Sequence, residues 1–280
     1  MRSPTVIVTG ANSGIGKATA KALASKGANV VLACRNERKG QIAKQELLAQ
    51  VPYGNFTVLK CDLNDLKQLH EFVEEFKKRF DSLDILINNA GVVTLKNEVT
   101  AQGFEKMLGV NHLGHFYLTE QLLPLIQRSN RGRIIILSSG AYKWGDFDES
   151  NANLTEEFSI AKAYGRSKLA NLWYVHALSE RLKHSHINVM AVHPGAVSTS
   201  LGVDRSNGFG EGIHRMLRPF FLSAEKGART SVSLALRDDV VNGGYYYKGK
   251  IKAVDGIAKD LERAKHLERW SYEAIEQALS

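Results

Sequence analysis

The chain has 280 residues, of which 44% are hydrophobic and 24% charged, with a formal net charge of +8. These are the proportions of a globular protein with a sizeable core, and runs such as VIV (6–8) and IIIL (134–137) fall far short of the roughly 20 apolar residues a spanning helix needs. The positive charges are dispersed, with no basic run interleaved with aromatics, so no nucleic-acid partner is expected.

The strand pattern begins almost at the first residue. TVIVTG (5–10) is a β-branched apolar run ending in glycine, which predicts a buried strand; no signal peptide or membrane anchor is expected ahead of it. Residues 14–26 then place Ile15, Ala18, Ala22 and Leu23 at helical spacing. NVVLAC (29–34) reads as a second strand, 37–50 as a polar-faced helix with Ile42, Leu47 and Leu48, and FTVLKC (56–61) as a third strand. Over 64–80, Leu66, Leu69, Phe72, Val73 and Phe76 form the apolar stripe of a helix. LDILIN (83–88) is the fourth strand. A long helix over 101–129, a strand at RIIILS (133–138), a helix over 161–184 and a strand at INVMAVH (187–193) complete the series. In the tail, Ile257, Leu261, Ala264, Leu267 and Trp270 predict an amphipathic helix over 257–279, packed on the body.

Strands and helices alternate, and the strands are continuous apolar runs. That combination predicts a parallel sheet covered by helices on both faces, an α/β, doubly wound Rossmann-type fold in a single domain over 1–280. The two cysteines, Cys34 and Cys61, each end a strand, so a disulfide framework is not expected and a reducing compartment is. No Cys/His cluster has metal-ligand spacing. His112 and His115 read as packed or hydrogen-bonded helix residues.

The first strand runs into a turn with Gly10, Gly14 and Gly16, and Asn12, Ser13 and Ile15 lie between them. Strand, glycine turn and helix let the backbone approach a pyrophosphate and aim helix N–H groups at it. At the end of the second strand, where an NAD site places an acid for the ribose 2′-hydroxyl, stand Cys34, Arg35 and Asn36. A carboxylate there would repel a 2′-phosphate, whereas Arg35 can clamp one, so NADP(H) is the expected cofactor.

Reacting groups in such a fold belong at the carboxyl ends of the strands. Ser138 and Ser139 follow the fifth strand, and Tyr164 precedes Lys168 by four residues near the start of the next helix. One helical turn sets phenol and ammonium side by side, and the cation favours phenolate, lowering a pKa of about 10. The same spacing recurs at Tyr246 and Lys250. Those two lie in a stretch that reads as a short strand and turn, where four residues span roughly 13 Å and cannot meet.

TGANSGIG (9–16), NNAG (88–91), Asn111 in VNHLGHF, Ser139, Tyr164 with Lys168, and PGAVST (194–199), taken in that order, resemble the short-chain dehydrogenase/reductase family. CRNERKG (34–40), VNHLGHF, SKLAN (167–171) and HPG resemble its retinol-dehydrogenase-like branch, as does the 25-residue spacing from Ser139 to Tyr164. The resemblance implies that Tyr164 is the general acid in carbonyl reduction and the base in alcohol oxidation. Lys168 would lower its pKa and hold the nicotinamide ribose, Ser139 would hydrogen-bond the substrate oxygen, and Asn111 would hold a water linking Lys168 to solvent. Asp62 would meet the adenine amino group with Leu63 beside it. Asn89, Ala90 and Gly91 would line the adenosine ribose, and Pro194, Gly195, Val197 and Thr199 would border the nicotinamide. A homo-oligomer paired through the helices after strands four and five follows by analogy. The N-terminal hydrophobic segment of the branch's membrane-anchored members is missing here, so a cytoplasmic location is expected.

The insert between Ser139 and Tyr164 is expected to shape one rim of the site. Residues 200–222 should form a substrate lid, with glycines for mobility and Met216, Leu217, Phe220 and Phe221 for apolar surface. The expected substrate is a small-molecule carbonyl or alcohol of lipophilic character, like a retinoid, a steroid or a long-chain aldehyde. The rival reading, a cofactor-binding scaffold without turnover, is disfavoured because Asn111, Ser139, Tyr164 and Lys168 are all present.

Overall fold

The computed structural model describes residues 2–155, 158–195 and 222–280. Strands β1 (Thr5–Thr9), β2 (Asn29–Cys34), β3 (Asn55–Lys60), β4 (Ile85–Asn88), β5 (Arg133–Leu137), β6 (Asn188–His193), β7 (Tyr245–Tyr247) and β8 (Lys250–Ile251) form one sheet. Their order is β3-β2-β1-β4-β5-β6-β7-β8, and every pairing is parallel except β7 with β8. The chain reverses direction across the sheet between β1 and β4, which opens a crevice at their carboxyl ends.

Side chains along a strand alternate between faces, and both faces are dry. Ile7 and Val31 join one core with the helices α3 (Leu66–Arg79), α5 (Gly114–Ile126), α6 (Ile160–Arg181) and α8 (Leu261–Leu279). Val6, Val8, Val30 and Leu32 join the other with α1 (Gly14–Ala24), α2 (Glu37–Gln50) and α7 (Ala224–Leu236). The expected doubly wound architecture is therefore present.

The long helix expected over 101–129 is divided. A bridge pairs Val99 with Glu105, a short turn α4 follows (Lys106–Leu108), and a π-helical turn (Gly109–Leu113) leads into α5. The buried Glu105 carboxylate accepts from the amides of Met107 and Leu108, both at 2.8 Å. Glycines flank the π turn for steric reasons. A Cβ on Gly109 would collide with Thr100, and one on Gly114 would stand 2.6 Å from the Leu63 carbonyl.

The expected tail helix is α8, and it packs along α5 and α6. Ser271 Oγ lies 3.0 Å from His112 Nε2, the Phe116 and Tyr272 rings meet edge to face at 4.8 Å, and Arg181 bridges Glu120 and Glu268. The helices on which subunit pairing was expected thus carry a helix of the same chain.

Candidate active site

The glycine turn has the geometry its sequence implies. Gly10 (φ +65°) and Gly14 (φ +52°) adopt left-handed backbone, and a Cβ on Gly16 would lie 2.5 Å from the Gly10 carbonyl and 2.6 Å from Asn89 Nδ2. Ser13 precedes α1 without a capping hydrogen bond from its side chain, which leaves the first N–H groups of α1 open to an anion. This cradle fits a dinucleotide pyrophosphate.

The NNAG segment is tied to the same turn. Thr9 Oγ1 accepts from the amides of Asn89 and Ala90 at 2.9 Å each, and Asn89 Nδ2 donates to the Thr9 carbonyl at 2.7 Å. Arg35 is exposed at the end of β2, beside Asn36, whose side chain caps α2 through the Lys39 amide. Asp62 accepts from the Asn64 amide at 3.0 Å, while Asp65 is the residue that caps α3. The helix-cap role available to an acid here is therefore filled by Asp65, not Asp62. Pro194 and Gly195 (φ +89°) leave β6, and Leu222 stands against Gly195. Val197, Thr199 and the expected lid up to residue 221 lie outside the described residues.

Asn111, Ser139, Tyr164 and Lys168 converge. Ser138 donates to the Lys168 carbonyl at 2.8 Å, pinning the end of β5 to α6, and so leaves the site to Ser139. Ser139 stands close enough to the Tyr164 phenol to oppose part of the rise in its pKa, and its Oγ accepts from the Ala141 amide at 3.2 Å. The Lys168 ammonium lies 5.5 Å from the Tyr164 ring centroid and donates to the Leu137 carbonyl at 3.2 Å. Asn111 and Lys168 meet below Gly91, whose Cβ would stand 3.4 Å from Asn111 Oδ1 and 3.7 Å from Lys168 Nζ. Asn111 is held by Val92, with Oδ1 accepting at 2.7 Å and Nδ2 donating at 3.0 Å, and Nδ2 also donates to Ser167 Oγ at 3.0 Å.

The protonation balance differs from the sequence expectation. Burial raises the Tyr164 phenol above its ordinary value, and Ser139 offsets only part of the rise. A nearby cation is visible in the sequence, but desolvation of the whole pocket is not, and here it wins. The phenol is consequently protonated at neutral pH, as a general acid must be. Burial lowers Lys168 to about 8, so it remains mostly charged at pH 7.

Three supporting residues were not singled out for the site. His115 Nδ1 donates to the Asn111 carbonyl at 3.0 Å and Nε2 accepts from Thr9 Oγ1 at 2.9 Å, which joins the π turn to the glycine turn. Burial holds His115 at about 4 and His112 at about 3, so both imidazoles are neutral. Arg166, inside the Tyr-x-x-x-Lys turn, is buried and clamps the long connection between Ser139 and Tyr164. Its Nε donates to the Asp146 carbonyl at 3.0 Å, and Nη1 to those of Asn151 at 2.7 Å and Ala152 at 2.9 Å. The unusual spacing from Ser139 to Tyr164 and a charge in the middle of the motif were the available signals. Arg166→Met is expected to destabilise the fold by roughly 2–4 kcal/mol in urea unfolding, because three carbonyls and their charged partner lose each other. A loss below about 1 kcal/mol would remove the clamp from the account.

The second tyrosine–lysine spacing falls in a short strand and turn, as expected, and a second short strand follows the turn. Tyr246 lies in β7 opposite Ile251 of β8, is buried, and its hydroxyl accepts from the Val241 amide at 2.8 Å, whereas Lys250 is exposed beyond the hairpin turn. Among the described residues there is no metal-ligating cluster, and no helix is long and apolar enough to cross a membrane.

Residues 4–208 match the family model described as short chain dehydrogenase. Retinol dehydrogenase 12 of Mus musculus is 39% identical over 272 residues, covering 96% of this chain and 85% of that protein. Retinol dehydrogenase 13 of Homo sapiens is 40% identical over 277 residues, covering 94% and 82%. Among solved structures, an uncharacterized protein from Mycobacterium paratuberculosis superposes with a TM-score of 0.77 at 32% identity, covering 98% of this chain and 93% of that one. The RhlG/NADP active-site complex of Pseudomonas aeruginosa gives 0.67 at 26% identity, covering 88% and 94%.

Proposed function

Since the chain belongs to the short-chain dehydrogenase family, we propose that it is an NADP(H)-dependent oxidoreductase acting on a lipophilic carbonyl and the corresponding alcohol. The observation that carries this reading is the convergence of Ser139, Tyr164, Lys168 and Asn111 beside the glycine cradle.

The cradle of Gly10, Asn12, Ser13, Gly14, Ile15 and Gly16 would hold the pyrophosphate. Arg35 would take a 2′-phosphate, Asp62 and Leu63 the adenine, Asn89 to Gly91 the adenosine ribose, and Pro194 and Gly195 the nicotinamide. When bound, the dinucleotide supplies or takes up the hydride. Tyr164 gives its phenolic proton to the carbonyl oxygen in reduction and takes the hydroxyl proton in oxidation. Ser139 donates to the same oxygen and stabilises its developing charge. Lys168 keeps a positive charge next to the phenol, which makes proton release less costly. Asn111 holds the loop above Lys168 in place.

The preference for NADP(H) is supported by Arg35 and by the lack of an acid at residues 34–36. A lipophilic substrate is supported by the apolar residues of 216–222 and by the retinol dehydrogenases among the relatives. The test is oxidation of NADPH and NADH against a panel of retinal, steroid ketones, long-chain aldehydes and small hydrophilic aldehydes. We expect turnover with NADPH, highest kcat/KM on the lipophilic members, and a rise of about tenfold or more in NADPH KM for Arg35→Asp. An unchanged NADPH KM refutes the cofactor assignment, and preference for small hydrophilic aldehydes refutes the substrate class.

A further inference from the structure

We infer that His193 is a specificity-determining residue whose Nε2–H donates to the substrate beside Ser139; the inference rests on the oxidoreductase reading above. His193 is the last residue of β6 and stands in register with Tyr247 of β7. The two rings stack, with centroids 4.8 Å apart and planes 18° from parallel. The ammonium groups of Lys248 and Lys252 lie 5.3 and 5.5 Å from the Tyr247 centroid. Stacking fixes the plane of the imidazole, so its two nitrogens point in set directions.

The backbone then decides which nitrogen carries the proton. Nδ1 lies 3.3 Å from the Gly195 amide, which can only donate, so Nδ1 is the acceptor. In the neutral ring the proton is therefore on Nε2. Burial and the Lys252 charge keep the ring on the neutral side. Nε2 faces Gly140, standing 3.5 Å from where a Cβ on that glycine would be. Gly140 directly follows Ser139, and with no Cβ on the glycine the side of the imidazole that bears Nε2–H is left bare next to the residue that carries Ser139 Oγ. No described residue accepts from Nε2.

A half-buried donor of this kind discriminates between ligands, because hydrocarbon placed against it leaves it unpaired. The substrate class that satisfies it is a carbonyl compound with a second acceptor oxygen next to the reacting carbonyl, such as an α-diketone or an α-hydroxyketone. Compounds presenting only hydrocarbon there should be poorer substrates.

The experiment compares kcat/KM for an α-diketone and its matched monoketone at saturating NADPH. It uses wild type, His193→Phe, His193→Gln, His193→Asn and Gly140→Ala. Phenylalanine keeps the stack on Tyr247 and loses the donor, so the diketone preference should fall about tenfold, the scale of one hydrogen bond. Glutamine places an N–H near the Nε2 position and should restore most of it. Asparagine can still accept from Gly195 but does not reach Gly140, and should stay low. Gly140→Ala puts a methyl group at ordinary contact distance from Nε2 and should lower the preference as phenylalanine does. NADPH KM should be unchanged in Gly140→Ala, a rise in His193→Phe reports the lost bond to the Gly195 amide rather than the donor, and cooperative urea unfolding shows that each variant is folded. An unchanged preference in His193→Phe and Gly140→Ala, or rescue by asparagine rather than glutamine, overturns the inference and leaves His193 as a support for Gly195. If wild type turns over no carbonyl, the oxidoreductase reading falls and takes this inference with it. If wild type turns over and the preference does not move, this inference alone fails.

Discussion

Tyr164→Phe is expected to lower kcat for carbonyl reduction by about 10²–10⁴-fold, the range a positioned general acid contributes. The ring stays in place, packed against the cluster of Met107, Leu154 and Ala163, so the substitution removes a hydroxyl and little else. NADPH binding, followed by fluorescence titration, should be close to wild type. Because burial keeps the phenol protonated, wild type has a proton to give at neutral pH and the variant has none. A loss smaller than about tenfold would mean that another group delivers the proton.

Lys168→Met should be inactive and yet more stable than wild type at neutral pH. Burial lowers the ammonium from 10.5 to about 8. Between those values the unfolded chain holds a proton that the folded chain has released, so the contribution of this one group to stability rises with pH across this window, against the opposite contribution of the buried thiols of Cys34 and Cys61, whose pKa burial raises. Below pH 8 the full penalty remains, about 3 kcal/mol. Methionine fills a similar volume without charge and gives up the hydrogen bond to the Leu137 carbonyl, worth about 1 kcal/mol. A net gain of about 2 kcal/mol in urea unfolding at pH 7 is expected, and the stability difference between variant and wild type should shrink between pH 8 and 10.5 as the lysine penalty disappears. Turnover should fall by at least about 10²-fold, because the phenol loses its neighbouring cation. A variant less stable than wild type at pH 7 would show that the charge is compensated in a way burial alone does not capture.

What was legible in the sequence was what local spacing controls. Alternating apolar strands and amphipathic helices predicted a parallel sheet because a strand buried on both faces has no polar side. The glycine turn was readable because left-handed backbone and close approach both select glycine, and Tyr164 with Lys168 because one helical turn is a local distance. The π turn was not readable, since Gly109 and Gly114 answer to Thr100 and Leu63, which only tertiary packing brings near. The direction of the Tyr164 shift failed for the same reason: a cation four residues away is written in the chain, but depth of burial is a property of the whole fold. Arg166 reads as an ordinary surface charge until the connection it grips is folded beside it. In the hairpin, Tyr246 and Lys250 were rightly kept apart, although the turn at Gly249 rather than strand length separates them.

The helix that lies across α5 and α6 has a consequence in mass action. Ser271 reaches His112, the residue next to Asn111, from within the same chain. A support supplied by a second molecule would be lost on dilution, with half of it gone at the dissociation constant of the pair. A support tethered to its own chain is present at a fixed local concentration whatever the amount of protein in solution. The brace that Ser271 gives the π turn beside Asn111 is therefore independent of concentration.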